Sequence, residues 1–131
     1  MPPIHDRLAL RLGAIFALFA VILGAMAAHG PLHDYLEWQK QTDLWRTALM
    51  YQWFHALALL AVGQGLTARR GTVICWLIGV VLFSGSLYIL ALDSSQKWVG
   101  PLTPLGGLFL IGGWAWLWIS LLKKKPAIGS T

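Results

Sequence analysis

Cysteine is almost absent from this chain. Cys75 stands alone among 131 residues, which excludes an intrachain disulfide framework and any Cys-pair metal motif. Charge is scarce as well. Only 11% of residues are charged, against about 25% in an ordinary soluble domain. The sequence has no nucleophile–base arrangement, no glycine-rich phosphate loop and no paired carboxylates, so nothing in it specifies an enzyme. Hydrophobic residues make up 57%, and a soluble domain of this length could not hide that much apolar surface in one core. A bilayer removes the conflict. The net charge of +5 forms no basic stripe, which argues against nucleic acid as a partner.

What is present is apolar length. A hydrocarbon core of roughly 30 Å needs about 20 mainly apolar residues at ~1.5 Å rise each. Four segments meet that need, at about 8–28, 46–66, 72–92 and 102–122. The sequence predicts an all-α membrane protein, with residues 1–131 forming a single domain of four transmembrane helices in an antiparallel bundle. The short link Arg69-Arg70-Gly71 forces its flanking helices to run antiparallel. Asp93 to Gly100 joins the third segment to the fourth. His29 to Thr47 is the longest connection, and Thr42-Asp43 within it is suited to an N-cap. No internal repeat is evident.

Orientation follows from the cations. Arg7, Arg11, Arg69, Arg70, Lys123, Lys124 and Lys125 fall on one side, and Lys40, Arg46 and Lys97 on the other. The richer side is expected to be cytoplasmic, with both termini there, in a bacterial inner membrane. Trp76, Trp116 and Trp118 near one boundary, and Trp38, Trp45 and Trp98 near the other, suit interfacial rings. The basic N-terminus, apolar run and Ala25-Met26-Ala27 also match a cleavable signal peptide. The run is long for that purpose. It also carries Gly13, Ala17, Ala20, Gly24 and Ala28, a stripe that suits close packing against a neighbouring helix. A retained first helix is expected.

Polar side chains in hydrocarbon are costly. Tyr51, Gln52 and His55 lie in the second segment, Ser84, Ser86 and Tyr88 in the third, and Thr103 at the start of the fourth, while His29 closes the first. From an outer boundary at Ala48, His55 is ~10 Å deep by helical rise. The polar groups therefore gather in the outer half of the bundle. They read in two ways: as hydrogen-bonding glue between helices, or as an outward-facing pocket for a small molecule, quinone head group, ion or proton. Segments two to four contain no Asp or Glu, the carboxylate most proton-coupled carriers use, although His55 could substitute. No metal or cofactor is expected. Cys75 lies near the inner surface, far from His29, His33 and His55. Those histidines could ligate haem in principle, but nothing else in the chain calls for it. Pro104 with Gly106-Gly107 reads more simply as proline in the first turn of a helix than as a broken helix.

Ala28-His29-Gly30, the run from Tyr51 to Leu60, the run from Leu82 to Tyr88, and Thr103-Pro104-Leu105-Gly106-Gly107 resemble one family in order through all four segments. It is the domain of unknown function 423 family, small bacterial inner-membrane proteins with relatives in animal mitochondria. Trp53 and Phe54 stand where a Met or another aromatic-like side chain would be expected, a conservative variation. The resemblance implies the four-helix fold and an integral membrane location, and it implies no activity.

The leading functional expectation is a non-enzymatic scaffold or accessory subunit. Its partners would be the lipid bilayer and either a second copy or another membrane protein. The runner-up is small-molecule or ion binding through the outer polar cluster, and a membrane enzyme comes third.

Overall fold

A computed structural model describes residues 4–65 and 70–123. Arg69, Lys124, Lys125 and the expected end of the second segment at Leu66 lie outside the described residues. Among those described, the chain is entirely helical: α1 (Ile4–Ala28), α2 (Pro31–Trp38), α3 (Thr42–Gly63), α4 (Arg70–Leu92), a 3-10 turn at Lys97–Val99, and α5 (Leu102–Leu122).

The connection from His29 to Thr47 proves more structured than its sequence suggested. Gly30, with φ 84°, adopts a conformation that suits glycine. Pro31 then opens α2 with its preset φ. Leu36 points inward and is buried, while Asp34, Glu37 and Trp38 are exposed. α2 ends in a Schellman motif: Gln41 N–H donates to the Leu36 carbonyl (2.9 Å) and Lys40 N–H to that of Glu37 (3.1 Å). Lys40 is the left-handed residue, with φ 56°. Thr42 is therefore the first residue of α3 rather than its N-cap. Gln41 precedes the helix and makes no side-chain cap.

The long helices pack in chain order, α1 on α3, α3 on α4 and α4 on α5, and α5 makes no extensive contact with α1. The expected bundle is thus an open row, with α3 and α4 at its centre. Each packed pair is antiparallel. Along α4–α5, for instance, Phe83 meets Gly106 and Cys75 meets Gly113. Two apolar clusters hold the row together. One joins Ala9, Leu59, Val62, Val73, Trp76, Val80 and Leu110. The other joins Leu36, Trp45 and Ala91 under α2, and the Tyr35 hydroxyl donates to the Leu92 carbonyl (2.6 Å), tying α2 to the end of α4.

Among the described residues, three stretches are long and apolar enough to cross a membrane: Asp6–Ala28, Arg70–Leu92 and Lys97–Leu122. α3 has the length, at 22 residues, but Asp43, Arg46, Gln52 and His55 make it less apolar than the others. Beyond α4, the exposed Asp93 carboxylate accepts from Ser95 N–H (3.0 Å), Ser95 Oγ (2.6 Å) and Gln96 Nε2 (2.8 Å). These bonds hold its pKa below the usual carboxylate range.

Candidate functional site

The small residues of α1 come first, because they set how close α3 lies. A Cβ on Gly13 would stand 3.0 Å from the Ala56 carbonyl and 3.1 Å from the Leu59 side chain. Ala20 is fully buried, Ala17 is half-buried, and Gly24 faces Leu49 of α3. Ala28, at the end of α1, is exposed.

That proximity lets Gln52 reach across. Its Nε2 donates to the Phe16 carbonyl of α1 (2.8 Å), and its Oε1 accepts from the Tyr88 hydroxyl of α4 (2.8 Å). One side chain therefore joins three helices. Ser84 Oγ donates to the Ala48 carbonyl (2.8 Å), joining α4 to α3. Ser86 Oγ lies 2.9 Å from the Phe83 carbonyl and 2.6 Å from Thr103 Oγ1. A serine hydroxyl has one hydrogen and a carbonyl only accepts. Ser86 therefore donates to Phe83, and Thr103 donates to Ser86, joining α5 to α4.

His55 is only 3% exposed and, among the described residues, makes no hydrogen bond to Gln52, Ser84 or Ser86. Its Nδ1 lies 2.7 Å from the Tyr51 backbone carbonyl and its Nε2 3.0 Å from Trp114 Nε1. The carbonyl can only accept and the indole N–H can only donate. These partners set the neutral tautomer with the proton on Nδ1. Sequence reasoning passed over Trp114. Its signal was position: it lies midway along α5, away from both ends, where interfacial tryptophans are not placed. His29 is exposed at the α1–α2 joint, apart from this network.

The polar cluster is thus a set of interhelical bonds rather than one lined pocket. The space beside it lies on the other flank of His55, where a groove of about 530 Å³ is lined by Met50, Tyr51, Phe54, His55, Phe83, Gly107, Leu110, Ile111 and Trp114. Neither Ser84 nor Tyr88 lines it. Aromatic rings form its walls. Tyr51 and Phe83 have centroids 4.4 Å apart, Phe54 and Trp114 5.6 Å, and Trp76 backs Trp114 at 4.5 Å. Among the described residues, no group of three or more His, Cys, Asp or Glu is placed to hold a metal ion. Toward the Arg70 end of α4, Thr72 Oγ1 and Trp76 Nε1 are buried without a hydrogen-bond partner among the described residues.

Comparison with known proteins agrees with the membrane character of these helices. A membrane protein of Staphylococcus saprophyticus, named a UPF0382 membrane protein, is 44% identical over 116 residues, covering 86% of this chain and 94% of its own. A UPF0382 membrane protein of Haemophilus influenzae is 48% identical over 119 residues, covering 86% and 88%. The UPF0382 inner membrane protein YgdD of Escherichia coli is 34% identical over 125 residues, covering 92% and 93%. No solved structure matches the chain. The family model described as Protein of unknown function (DUF423) matches residues 23–107, and with relatives this similar along most of their length, the chain belongs to that family of membrane proteins.

Proposed function

We propose that this protein is a non-enzymatic, multi-pass protein of the bacterial inner membrane that serves as a scaffold or accessory subunit for a second copy or another membrane protein. In this reading α1, α3, α4 and α5 each cross the bilayer, and both termini are cytoplasmic. The distribution of Lys and Arg supports the orientation, and the name of the Escherichia coli relative supports the inner membrane. α3 qualifies as the fourth crossing because the two polar side chains deepest in it, Gln52 and His55, are buried against neighbouring helices rather than turned to lipid.

The observation that carries the functional half is how the cluster uses its hydrogen bonds. Gln52, Ser84, Ser86, Tyr88 and Thr103 bond to other helices, and His55 to its own helix and to Trp114. They form glue between helices, the role such residues commonly have in membranes. A second reading draws on the groove beside His55: a site for an apolar small molecule held by the rings of Tyr51, Phe54, Phe83 and Trp114.

His55→Leu separates the two. The structural reading expects a lower melting temperature in detergent, because Trp114 loses its acceptor, and no change in co-purified small molecules. The groove reading adds to this lower melting temperature the loss of a co-purified small molecule. For orientation, an introduced cysteine at Gln96 should label only from outside and one at Lys123 only from inside. Labelling of Lys123→Cys from outside would overturn it.

A further inference from the structure

A second cleft, of about 400 Å³, opens where α1, α2 and α3 meet at the α2 end of the molecule, lined by Gly24, Ala27, Ala28, His33, Thr42, Trp45, Arg46 and Leu49. We infer that it binds one glycerophospholipid, with the lipid phosphate against Arg46 and Thr42 and an acyl chain along the α1–α3 groove. The inference rests on the four-crossing reading, which puts this end of α3 at the outer interface.

The cleft has a polar mouth and an apolar floor. Thr42, Arg46 and Leu49 are spaced four and three residues apart, so they share a face of α3. Along that face the chemistry passes from hydroxyl and guanidinium to leucine within two turns. On α1, Gly24 is ~6 Å deeper than Ala28 by helical rise, and its missing side chain keeps the groove open, since even an added Cβ would stand 3.9 Å from Leu49. The α1 wall, formed by Gly24, Ala27 and Ala28, is apolar throughout, and the gradient is carried by α3. It matches a phospholipid lying along the membrane normal, and a free anion has no use for the apolar floor.

The walls are already held. Trp45 Nε1 donates to the Leu23 carbonyl (3.2 Å), and its ring meets Tyr88 edge-on at 4.7 Å. His33 Nδ1 donates to the Ala27 carbonyl (3.0 Å), and its Nε2 lies 3.8 Å from Glu37. Arg46 and Thr42, by contrast, make no side-chain hydrogen bond or ion pair among the described residues, although Asp43 is adjacent to Thr42 in sequence. Two donors are thus left over at the mouth, one of them a guanidinium, the group best matched to a phosphate. Asp43 and Glu37 at the same end keep the local charge from being strongly positive. A freely diffusing phosphate gains little there, whereas a lipid phosphate is already concentrated at the interface and adds the contact of its chain.

The test is native mass spectrometry of the full chain released from mild detergent after incubation with phosphatidylethanolamine vesicles. One retained phospholipid is expected. Arg46→Gln, an exposed substitution, should lower retention at least about tenfold, the effect of losing a charge-assisted bond. Arg46→Lys should retain an intermediate amount. Gly24→Leu, where its melting temperature shows a folded protein, should lower retention by filling the groove. Lipid retention by Arg46→Gln equal to wild type would overturn the inference. Displacement of the lipid by millimolar inorganic phosphate would also overturn it, showing an anion site without a lipid. Cysteine labelling reads the four-crossing topology separately, so failure of one is not mistaken for failure of the other.

Discussion

Gln52 shows what one buried polar side chain can do between helices. Both ends of its amide are engaged, one by an α1 carbonyl and the other by an α4 hydroxyl, so the residue sets the register of three helices at once. Removing it would leave the part-buried Tyr88 hydroxyl without its acceptor and break the link to α1. Gln52→Leu is expected to cost about 1–3 kcal/mol in detergent unfolding. Tyr88→Phe should cost less, because it removes the donor and leaves only one amide oxygen unpaired. The double variant should fall short of the sum by roughly 0.5–1.5 kcal/mol, the range of coupled pairs in membrane proteins. Strict additivity would show that the two side chains do not meet.

Among elements, the α4–α5 pair is built on absent side chains. At Gly106 an added Cβ would run into the Phe83 backbone, and at Gly113 it would stand 2.5 Å from Trp76 Cδ1. Gly112, one residue earlier, has nothing within 4 Å. The same substitution should therefore have opposite effects at neighbouring turns of one helix. Gly106→Ala is expected to destabilise by about 1–3 kcal/mol, because backbone cannot move aside as a flexible side chain can. Gly112→Ala should be neutral, or stabilising by up to roughly 1 kcal/mol through reduced backbone entropy. Thermal melts of the two variants check this, and equal losses would mean that the face of α5 turned to α4 is misassigned.

For the molecule as a whole, an open row has an inside and two flanks. α3 and α4 each have long helices packed on two sides, whereas α1 and α5 each pack mainly on one. Local opening is easiest where fewest buried contacts must break. Amide hydrogen exchange in detergent should therefore be slowest in α3 and α4 and faster in α1 and α5. Slower exchange in α5 than in α3 would contradict the row and favour a closed ring.

The helices themselves were legible in the sequence, because apolar length and the placement of Lys and Arg depend only on transfer from water to lipid, a property of each segment by itself. So were the family resemblance and the residues of the polar cluster, since any polar group in such a segment stands out. α2 was hidden by its brevity: eight residues rich in Asp, Glu and His read as a loop until Leu36 is seen buried under Trp45 and Ala91. The pairing of the cluster was not legible either. Rise per residue gives depth but not which face of a helix meets which neighbour, so it could not bring His55 to Trp114. Only the tertiary structure decided that α5 stays off α1, that Gln52 turns to α1 while His55 turns to α5, and that a groove opens beside His55 between α3 and α5. Those outcomes depend on how closely glycines let two backbones approach, which is a property of the pair of helices and of neither sequence segment alone.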